Sequence, residues 1–359
     1  MMNFHQLTTQ FVAGIDLHKS NLTICIMNKQ GEILCQQVFK RQKSVRLKKI
    51  LSPYGSDITV GVETTYNWYW LYDWCLENEF PVVVGHALYI KQKIIGKNKT
   101  DKIDAKEIAN LLRINDFPLS FSCPLKHRTM RDLIRRRIKF TQMHTSIVNH
   151  ISCLHDQYNL EEFQEEILNS SDKDYYENFW LSMDTDTEIA KLLKQKIKLI
   201  EKQIENYGNR DFKKEYKLLR SIRGIGPVIA GTLVYEIQDL ERFPTVQQFS
   251  SYCRVVNPAC ESGGKRVGRG NTKMGNPYLC YVLHELVESS RKYNPEIQKK
   301  FQKLKKRRGI HHAHRILAHE WAITIYQILK NDSTFSLEQF CGTRYVDEPS
   351  QSTGLPAAA

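Results

Sequence analysis

Short apolar segments alternate with polar turns over the first third of the chain. Five of these segments have the length and the Val, Ile and Leu content of strands: 11–17, 22–28, 33–39, 58–63 and 81–84. Apolar residues at helical spacing predict helices over 45–51 and 66–79, and a third helix that Asp101 opens. The polar turn from Lys29 to Glu32 indicates a hairpin between the second and third strands. We therefore expect one α/β domain over residues 1–120.

Helical spacing dominates the rest of the chain. The segment 126–155 is basic and helical, and apolar residues recur every three or four positions over 188–207, which suits helix pairing and a coiled coil between subunits. A further helix is predicted from Tyr278 to Ser289. The pattern predicts a helical middle region over 121–215, a mainly helical domain over 216–340 and a disordered tail over 341–359.

Charge indicates an anionic partner. The chain of 359 residues has a net charge of +13. Residues 156–188 hold eleven acids and one base, a local charge of −10, so the rest of the chain carries +23. This asymmetry favours nucleic acid bound away from an acidic insert.

Cysteine usage and hydropathy indicate the compartment. Nine scattered cysteines without a C-x-x-C pair argue against a disulfide framework or a zinc site. No apolar run reaches the length of a membrane span, and the first ten residues lack the form of a signal peptide. We expect a cytoplasmic protein that does not contact a membrane.

Four acids stand where strands end or a helix begins. Asp16 and Glu63 end two predicted strands, and Asp101 and Asp104 share one face of a first helical turn. The order of strands and helices is that of a ribonuclease-H-like domain, in which acids gather at strand ends. Carboxylates at close range repel one another unless a cation neutralises them, and hard oxygen ligands suit Mg²⁺ or Mn²⁺. Any one of these acids alone is an ordinary capping or turn residue.

Two motifs that follow the predicted α/β domain can contact nucleic acid. Helix 126–155 carries Arg135, Arg136 and Arg137, for which a solvated helix face is the alternative interpretation. Arg223, Gly224 and Gly226 lie in a helix–turn–helix pattern like that of a helix-hairpin-helix, whose glycines let backbone amides approach a phosphate. A simple helix C-cap is the alternative for these glycines.

A third motif places a serine among cations. Ser262 precedes Gly263 and Gly264 and is followed by four basic residues: Lys265, Arg266, Arg269 and Lys273. A serine in a flexible, positively charged loop can attack a phosphodiester. Ser-Gly-Gly is also an ordinary loop sequence, so the residues alone leave both interpretations open.

Several blocks together resemble one transposase family. GIDLHKS at 14–20, GVETTYNW at 61–68 and TDKIDAKEIANLL at 100–112 resemble the DEDD domain of the "one-ten" insertion-sequence transposases. RGIGPVIAGTLVYEI at 223–237 and ESGGKRVGRGNTKMGNPYL at 261–279 resemble the C-terminal transposase domain of that family. The resemblance covers nearly the whole chain in the right order, with the middle helices similar only in character.

The resemblance implies an RNA-guided DNA recombinase from a bacterium or archaeon. It implies a RuvC-like domain in which Asp16, Glu63, Asp101 and Asp104 hold magnesium, and it places the family's nucleophilic serine at Ser262. The product of attack would be a covalent phosphoserine link to DNA. The expected partners are donor and target DNA, a structured guide RNA known as bridge RNA or seekRNA, and further copies of the chain in a dimer, or a tetramer on DNA. Many relatives have two adjacent hydroxyl residues where this chain has Glu261 and Ser262.

Two alternatives remain open from the sequence. A metal-dependent endonuclease of the Holliday-junction type would use the acids and water without Ser262. A non-catalytic RNA- or DNA-binding protein would use neither.

Overall fold

The computed structural model of this chain divides into two compact units, residues 1–126 and 127–359. It describes residues 4–40, 44–93, 100–159, 173–256, 259–263, 265–269 and 274–342. The boundary near residue 126 lies close to the first predicted domain boundary. The further predicted boundaries at 216 and 341 stay predictions, and most of the predicted tail lies outside the described residues.

The first unit is built on a five-stranded mixed sheet. Its strands are β1 (Phe11–Leu17), β2 (Asn21–Asn28), β3 (Ile33–Lys40), β4 (Ile58–Glu63) and β5 (Val82–Gly85), in the spatial order β3-β2-β1-β4-β5. Strand β2 is antiparallel to β1 and β3, whereas β4 is parallel to β1 and β5. All five predicted strands and the ribonuclease-H-like order are confirmed.

Helices cover both faces of this sheet. They are α1 (Ser44–Leu51), α2 (Tyr69–Glu77), α3 (Ala87–Lys93) and α4 (Asp101–Arg113). Helices α1 and α2 pack on the face that carries Ile15, and α3 and α4 pack on the face that carries Val12. The sequence did not predict α3, because its seven residues are too few to establish a helical period.

Two glycines let α4 lie unusually close to the sheet. Gly14 and Gly61 are neighbours in the β1–β4 register. A Cβ at Gly14 would lie 2.1 Å from the carbonyl oxygen of Ala105, and a Cβ at Gly61 would lie 2.5 Å from Leu112 Cδ1. Asp16 points to the same face as Gly14, because side chains alternate along a strand. The close approach therefore brings the first turn of α4 to the acid at the end of β1.

The second unit is mainly helical, which confirms the predicted class. Its helices are α5 (Leu125–Tyr158), α6 (Lys173–Asp211), α7 (Lys213–Arg220), α8 (Pro227–Ile237), α9 (Val246–Tyr252), α10 (Pro277–Tyr293), α11 (Pro295–Arg308), α12 (Ile310–Asn331) and α13 (Leu337–Gly342), with a hairpin of β6 (Ala259–Ser262) and β7 (Lys265–Arg269) before α10. Three helices begin with proline, whose missing N–H and fixed φ suit the first helical position. The core includes the fully buried side chains of Tyr235, Phe249 and Trp321.

The two long helices α5 and α6 pair with each other within the chain. Arg137 Nη2 lies 2.5 Å from Glu201 Oε1, and His150 Nδ1 lies 2.6 Å from Asp186 Oδ2, so the helices run antiparallel. The predicted apolar seam on α6 faces inward at Ile204, which is fully buried. The sequence analysis expected this seam to pair between subunits. Within the chain, α8 packs against the seam, because a Cβ at Gly231 would lie 2.2 Å from Ile204 Cγ2. Pairing between subunits stays a prediction.

No helix in the described parts of the chain is both long enough and apolar enough to cross a bilayer.

The close packing of α4 gives a stability prediction. We expect Gly14→Ala to lower the free energy of unfolding of the first unit by about 2 kcal/mol or more. The new methyl group would clash with backbone atoms of α4, which cannot change rotamer to make room. Chemical denaturation should report the loss. Gly226→Ala is the control, because a Cβ at Gly226 meets nothing within 4 Å. Equal stability of the two variants would contradict this account of the packing.

Candidate active site

Three of the four predicted acids come together at one edge of the sheet. Asp16 is the second-last residue of β1, and Asp101 and Asp104 lie in the first turn of α4. Both α4 acids raise the pKa of Asp16 through charge repulsion, which shows that they lie within electrostatic range of it. Glu63 directly follows Val62, which pairs with Ile15 in the parallel register, so Glu63 ends its strand beside Asp16.

His18 joins this group, and the sequence analysis missed it. Its Nε2 atom lies 3.0 Å from Asp16 Oδ2 and 3.3 Å from Asp101 Oδ1. The spacing of two residues between Asp16 and His18 indicates this placement, because residues two apart on a strand point to the same face. A histidine two positions after a strand-end acid is thus a candidate member of the same site.

Burial raises the pKa of Asp16. Its side chain is only 9% exposed, whereas that of Asp101 is 50% exposed. Desolvation is the main cause that raises the pKa of Asp16, and His18 opposes it by favouring the charged form. The carboxylates of Asp101 and Asp104 add to the rise. A cation bound here would relieve the repulsion.

Backbone contacts fix the elements that carry these groups. The Thr100 hydroxyl caps α4 by accepting a hydrogen bond of 3.3 Å from the Ile103 N–H. Gln36 Nε2 on β3 donates to the Lys102 carbonyl at 2.9 Å, which ties the first turn of α4 to the sheet. Asn67 Nδ2 donates to the His18 carbonyl at 3.0 Å and holds the segment after β1. The site is therefore organised by the protein itself.

The donor set suits a divalent cation. One ligand atom from each of Asp16, His18 and Asp101 lies within 4.8 Å of the others. Carboxylate oxygens are the ligands that Mg²⁺ and Mn²⁺ prefer, and an imidazole nitrogen adds affinity for Mn²⁺. Glu63 and Asp104, at the same edge, offer further oxygens.

Comparison with known proteins assigns the chain to a family. A family model for DEDD transposases of the IS110 type matches residues 13–160, which include all four acids. A second model, described as transposase of the IS116/IS110/IS902 family, matches residues 216–302. The two matches together span more than half of the chain. The chain belongs to the IS110 family of DEDD transposases. It is thus a DNA transposase, and the resemblance seen in the sequence is confirmed.

The comparisons also give one curated relative and one solved structure. The transposase for insertion sequence element IS1111A of Coxiella burnetii (strain RSA 493 / Nine Mile phase I) is 21% identical over 341 residues, covering 90% of this chain and 91% of that protein. The solved structure titled "T. thermophilus RuvC in complex with Holliday junction substrate" is 17% identical, covers 29% of this chain and 91% of that chain, and has a TM-score of 0.23.

In the second unit of this IS110-family chain, Arg135 makes a structural ion pair. Its guanidinium binds Glu236 in a bidentate manner, with Nε–Oε1 and Nη2–Oε2 distances of 2.6 and 2.8 Å. The Glu236 side chain is 1% exposed. Asn276 Nδ2 also donates to Glu236, at 2.8 Å. The side-chain oxygen Oδ1 of Asn276 caps α10 by accepting from the Tyr278 N–H. This network joins α5, α8 and the start of α10.

The neighbouring arginines differ from Arg135. Arg137 pairs with Glu201 on α6, whereas Arg136 is exposed and lies over the Phe140 ring at 4.7 Å. The prediction that the three arginines contact nucleic acid stays a prediction. A contact through Arg135 or Arg137 would have to coexist with these ion pairs.

The turn between α7 and α8 has the predicted helix–turn–helix form. Gly224 has φ +107, and a Cβ there would lie 2.9 Å from Ser290 Cα, so this glycine is needed for packing on α10. Ser289 Oγ donates to the Gly224 carbonyl at 2.6 Å, and Asn294 Nδ2 donates to the Arg223 carbonyl at 3.0 Å. Gly226 meets nothing within 4 Å and precedes the N-terminus of α8. The phosphate-binding role of this turn stays a prediction.

Ser262 ends β6 of the short hairpin. In the antiparallel register it pairs with Lys265, and Glu261 pairs with Arg266. Gly263 between the strands has φ +58, a conformation that favours glycine. Arg269 ends β7, whereas Gly264 and Lys273 lie outside the described residues. The assignment of Ser262 and its neighbouring cations to catalysis stays a prediction.

The hairpin is followed by a tightly fixed segment. A Cβ at Gly275 would lie 2.5 Å from the Tyr252 carbonyl oxygen, and the Asn276 N–H donates to that same oxygen at 2.6 Å. The chain therefore enters α10 from the end of α9, next to the Glu236 network.

The raised pKa of Asp16 predicts opposite effects on stability and metal binding. When the folded-state pKa of a carboxyl group is raised, the folded protein loses stability as the pH rises from the unfolded pKa through the folded pKa. The penalty is present above the unfolded pKa, so at neutral pH Asp16→Asn should raise the melting temperature in EDTA. Mg²⁺ or Mn²⁺ should then stabilise the variant less than the wild type. Glu77→Gln, an exposed change at the end of α2, is the control. A lower melting temperature of Asp16→Asn in EDTA would refute the electrostatic argument.

The Arg135–Glu236 pair predicts a loss of stability in the second unit. Arg135→Ala leaves the buried Glu236 carboxylate without its cation, and such a loss costs about 3 kcal/mol or more. Urea denaturation should detect it. Arg136→Ala is the matched control, because Arg136 is exposed one position along the same helix. If both variants unfold like the wild type, the pair does not hold α5 and α8 together.

Proposed function

We propose that this transposase cuts and rejoins DNA through a phosphoserine intermediate on Ser262. In this proposal the four acids of the first unit bind divalent magnesium or manganese. The observation that carries the proposal is the convergence of Asp16, Asp101 and His18, with Asp104 in electrostatic range and Glu63 at the adjacent strand end. Repelling carboxylates fixed by a short helix-to-sheet distance are typical of a metal-binding site. The alignment of the family blocks supports the serine.

The acids and His18 have distinct roles in this proposal. Asp16, Glu63, Asp101 and Asp104 would hold the metal, which supplies Lewis-acid polarisation of the scissile phosphate and stabilises the leaving oxygen. Asp16 fixes the position of the site, because it is the more buried of the two acids that contact His18. His18 neutralises part of the acid charge when it is protonated and keeps Asp16 and Asp101 together.

The serine step is a transesterification. The Ser262 hydroxyl loses its proton as its oxygen bonds to phosphorus, and the bond from phosphorus to one deoxyribose oxygen breaks. The released deoxyribose oxygen takes up a proton and leaves as a hydroxyl. A hydroxyl of another strand reverses the step, so the energy of the phosphodiester is kept and no nucleotide cofactor is needed. Lys265, Arg266 and Arg269 follow Ser262 along the hairpin and supply positive charge for the phosphate.

The partners of this reaction are proposed from the family resemblance. Donor and target DNA are the substrates, and a structured RNA from the insertion element guides the choice of site. Recombination of two duplexes needs at least two copies of the chain, and four on the assembled DNA.

A water-using endonuclease is the competing function. It would employ the same acids, so the geometry of the first unit favours neither. The two functions differ in their products, because only the serine mechanism leaves protein covalently joined to DNA.

The experiment is a denaturing gel of the protein with guide RNA, a nicked substrate and magnesium. We expect wild type to form a denaturant-resistant protein–DNA adduct. Ser262→Ala should form none, because it removes only the attacking hydroxyl. Asp101→Asn should also fail to cleave, because it removes one ligand charge with little change in volume.

Control measurements separate loss of chemistry from loss of folding. Both variants should bind guide RNA, and neither should melt at a lower temperature than the wild type. If Ser262→Ala still forms the adduct, another residue is the nucleophile. If wild type cleaves without an adduct at any time, the endonuclease is the correct function.

A further inference from the structure

The corner between α11 and α12 is the most concentrated run of exposed positive charge in the described part of the chain. Residues 297–319 contain eight Lys or Arg residues and no Asp or Glu. All eight residues from Lys305 to His312 are exposed. This segment lies outside both the acid site and the Ser262 hairpin.

The corner has a concave shape. Arg307, Arg308 and His312 line an open depression of about 460 Å³. Gly309, with φ +81, turns the chain between the two helices, so the end of α11 and the beginning of α12 face the same depression. Two guanidinium groups in a concavity match the geometry of phosphate oxygens.

Exposed lysines extend the charge along α11. Lys299, Lys303 and Lys306 are four and three positions apart, so they lie on one face of the helix. From Lys299 to Arg308 the helix rises roughly 13 Å. One strand of duplex DNA carries a charge about every 3.4 Å along its axis, so this length covers about four phosphates.

Two acids on the helices packed against α11 form ion pairs of their own. Glu288 on α10 binds Arg291 and His314, with distances of 2.7 and 2.6 Å. Glu320 on α12 binds Lys300 at 2.8 Å.

We propose that the α11–α12 corner, defined here as Lys299, Lys303 and residues 305–312, is a binding site for the phosphate backbone of a nucleic acid. The contact is made to phosphates rather than to bases, because the site offers cations on one helix face and in one open depression. It goes beyond the cutting chemistry and does not depend on it. The backbone can belong to duplex DNA or to a folded RNA, and the experiment distinguishes these two sources.

The test measures binding in EDTA, where no cleavage takes place, so the result is independent of the metal and of Ser262. Fluorescence anisotropy is recorded for the full chain with a mixed-sequence 30-bp DNA duplex and, separately, with an RNA hairpin of equal phosphate number. Salt is varied from about 50 to 200 mM, because the slope of log K against log salt counts the phosphates neutralised.

The double variant Arg307→Gln/Arg308→Gln should bind more weakly. If duplex DNA occupies the corner, its salt slope should fall in magnitude by about 1.8, since each neutralised phosphate contributes about 0.9. Loss in the RNA arm alone would assign the corner to RNA. Arg307→Lys/Arg308→Lys should keep most of the slope, because it keeps both charges.

The control removes the same charge from another surface. Lys48→Gln/Lys49→Gln alters two exposed lysines on α1, which packs on the sheet face opposite the acids. Unchanged slopes in both arms for the corner variant, or an equal drop in the control, would overturn the proposal. If the arginine variant melts early, Lys305→Gln/Lys306→Gln decides by the same criteria.

Discussion

The close approach of α4 to β1 is the constraint on which the acid site depends. Gly14 leaves no side chain between the strand and the Ala105 carbonyl, so the first turn of the helix reaches the buried Asp16. Packing energy thereby holds carboxylates together that would otherwise repel one another. His18 relieves part of this repulsion within the protein, and its contacts with Asp16 and Asp101 also occupy the oxygens that a metal would use.

In the second unit, a buried acid is paired with neighbouring side chains. Glu236 is almost fully enclosed, but Arg135 and Asn276 satisfy both of its oxygens. This neutral network ties α5 to the start of α10, immediately after the segment that follows the Ser262 hairpin. One unit therefore gathers several acids at one edge of its sheet, and the other pairs its buried acid with an arginine and an asparagine. The same residue type, a carboxylate at an element end, serves both purposes.

Periodicity was sufficient for the elements but not for their partners. The five strands and the helix at Asp101 follow from apolar spacing, which is local information. The short α3 has too few residues to show a period, and the partner of the α6 seam cannot be read from one helix. Likewise, Arg135 and Arg136 are both basic in the sequence, and only the fold separates the ion-paired residue from the exposed one. The spacing of His18 from Asp16 indicates a shared face, but only the fold shows that His18 contacts both Asp16 and Asp101.

The central claim is that these acids form a metal site rather than a set of capping residues. A crystal structure with bound Mn²⁺, examined by anomalous scattering, tests it most directly. The account predicts an anomalous peak within coordination distance of Asp16 and Asp101 carboxylate oxygens, with further oxygen ligands from the same edge of the sheet. Crystals soaked at a saturating Mn²⁺ concentration that show His18 bridging Asp16 and Asp101, with no anomalous peak beside them, would contradict the account.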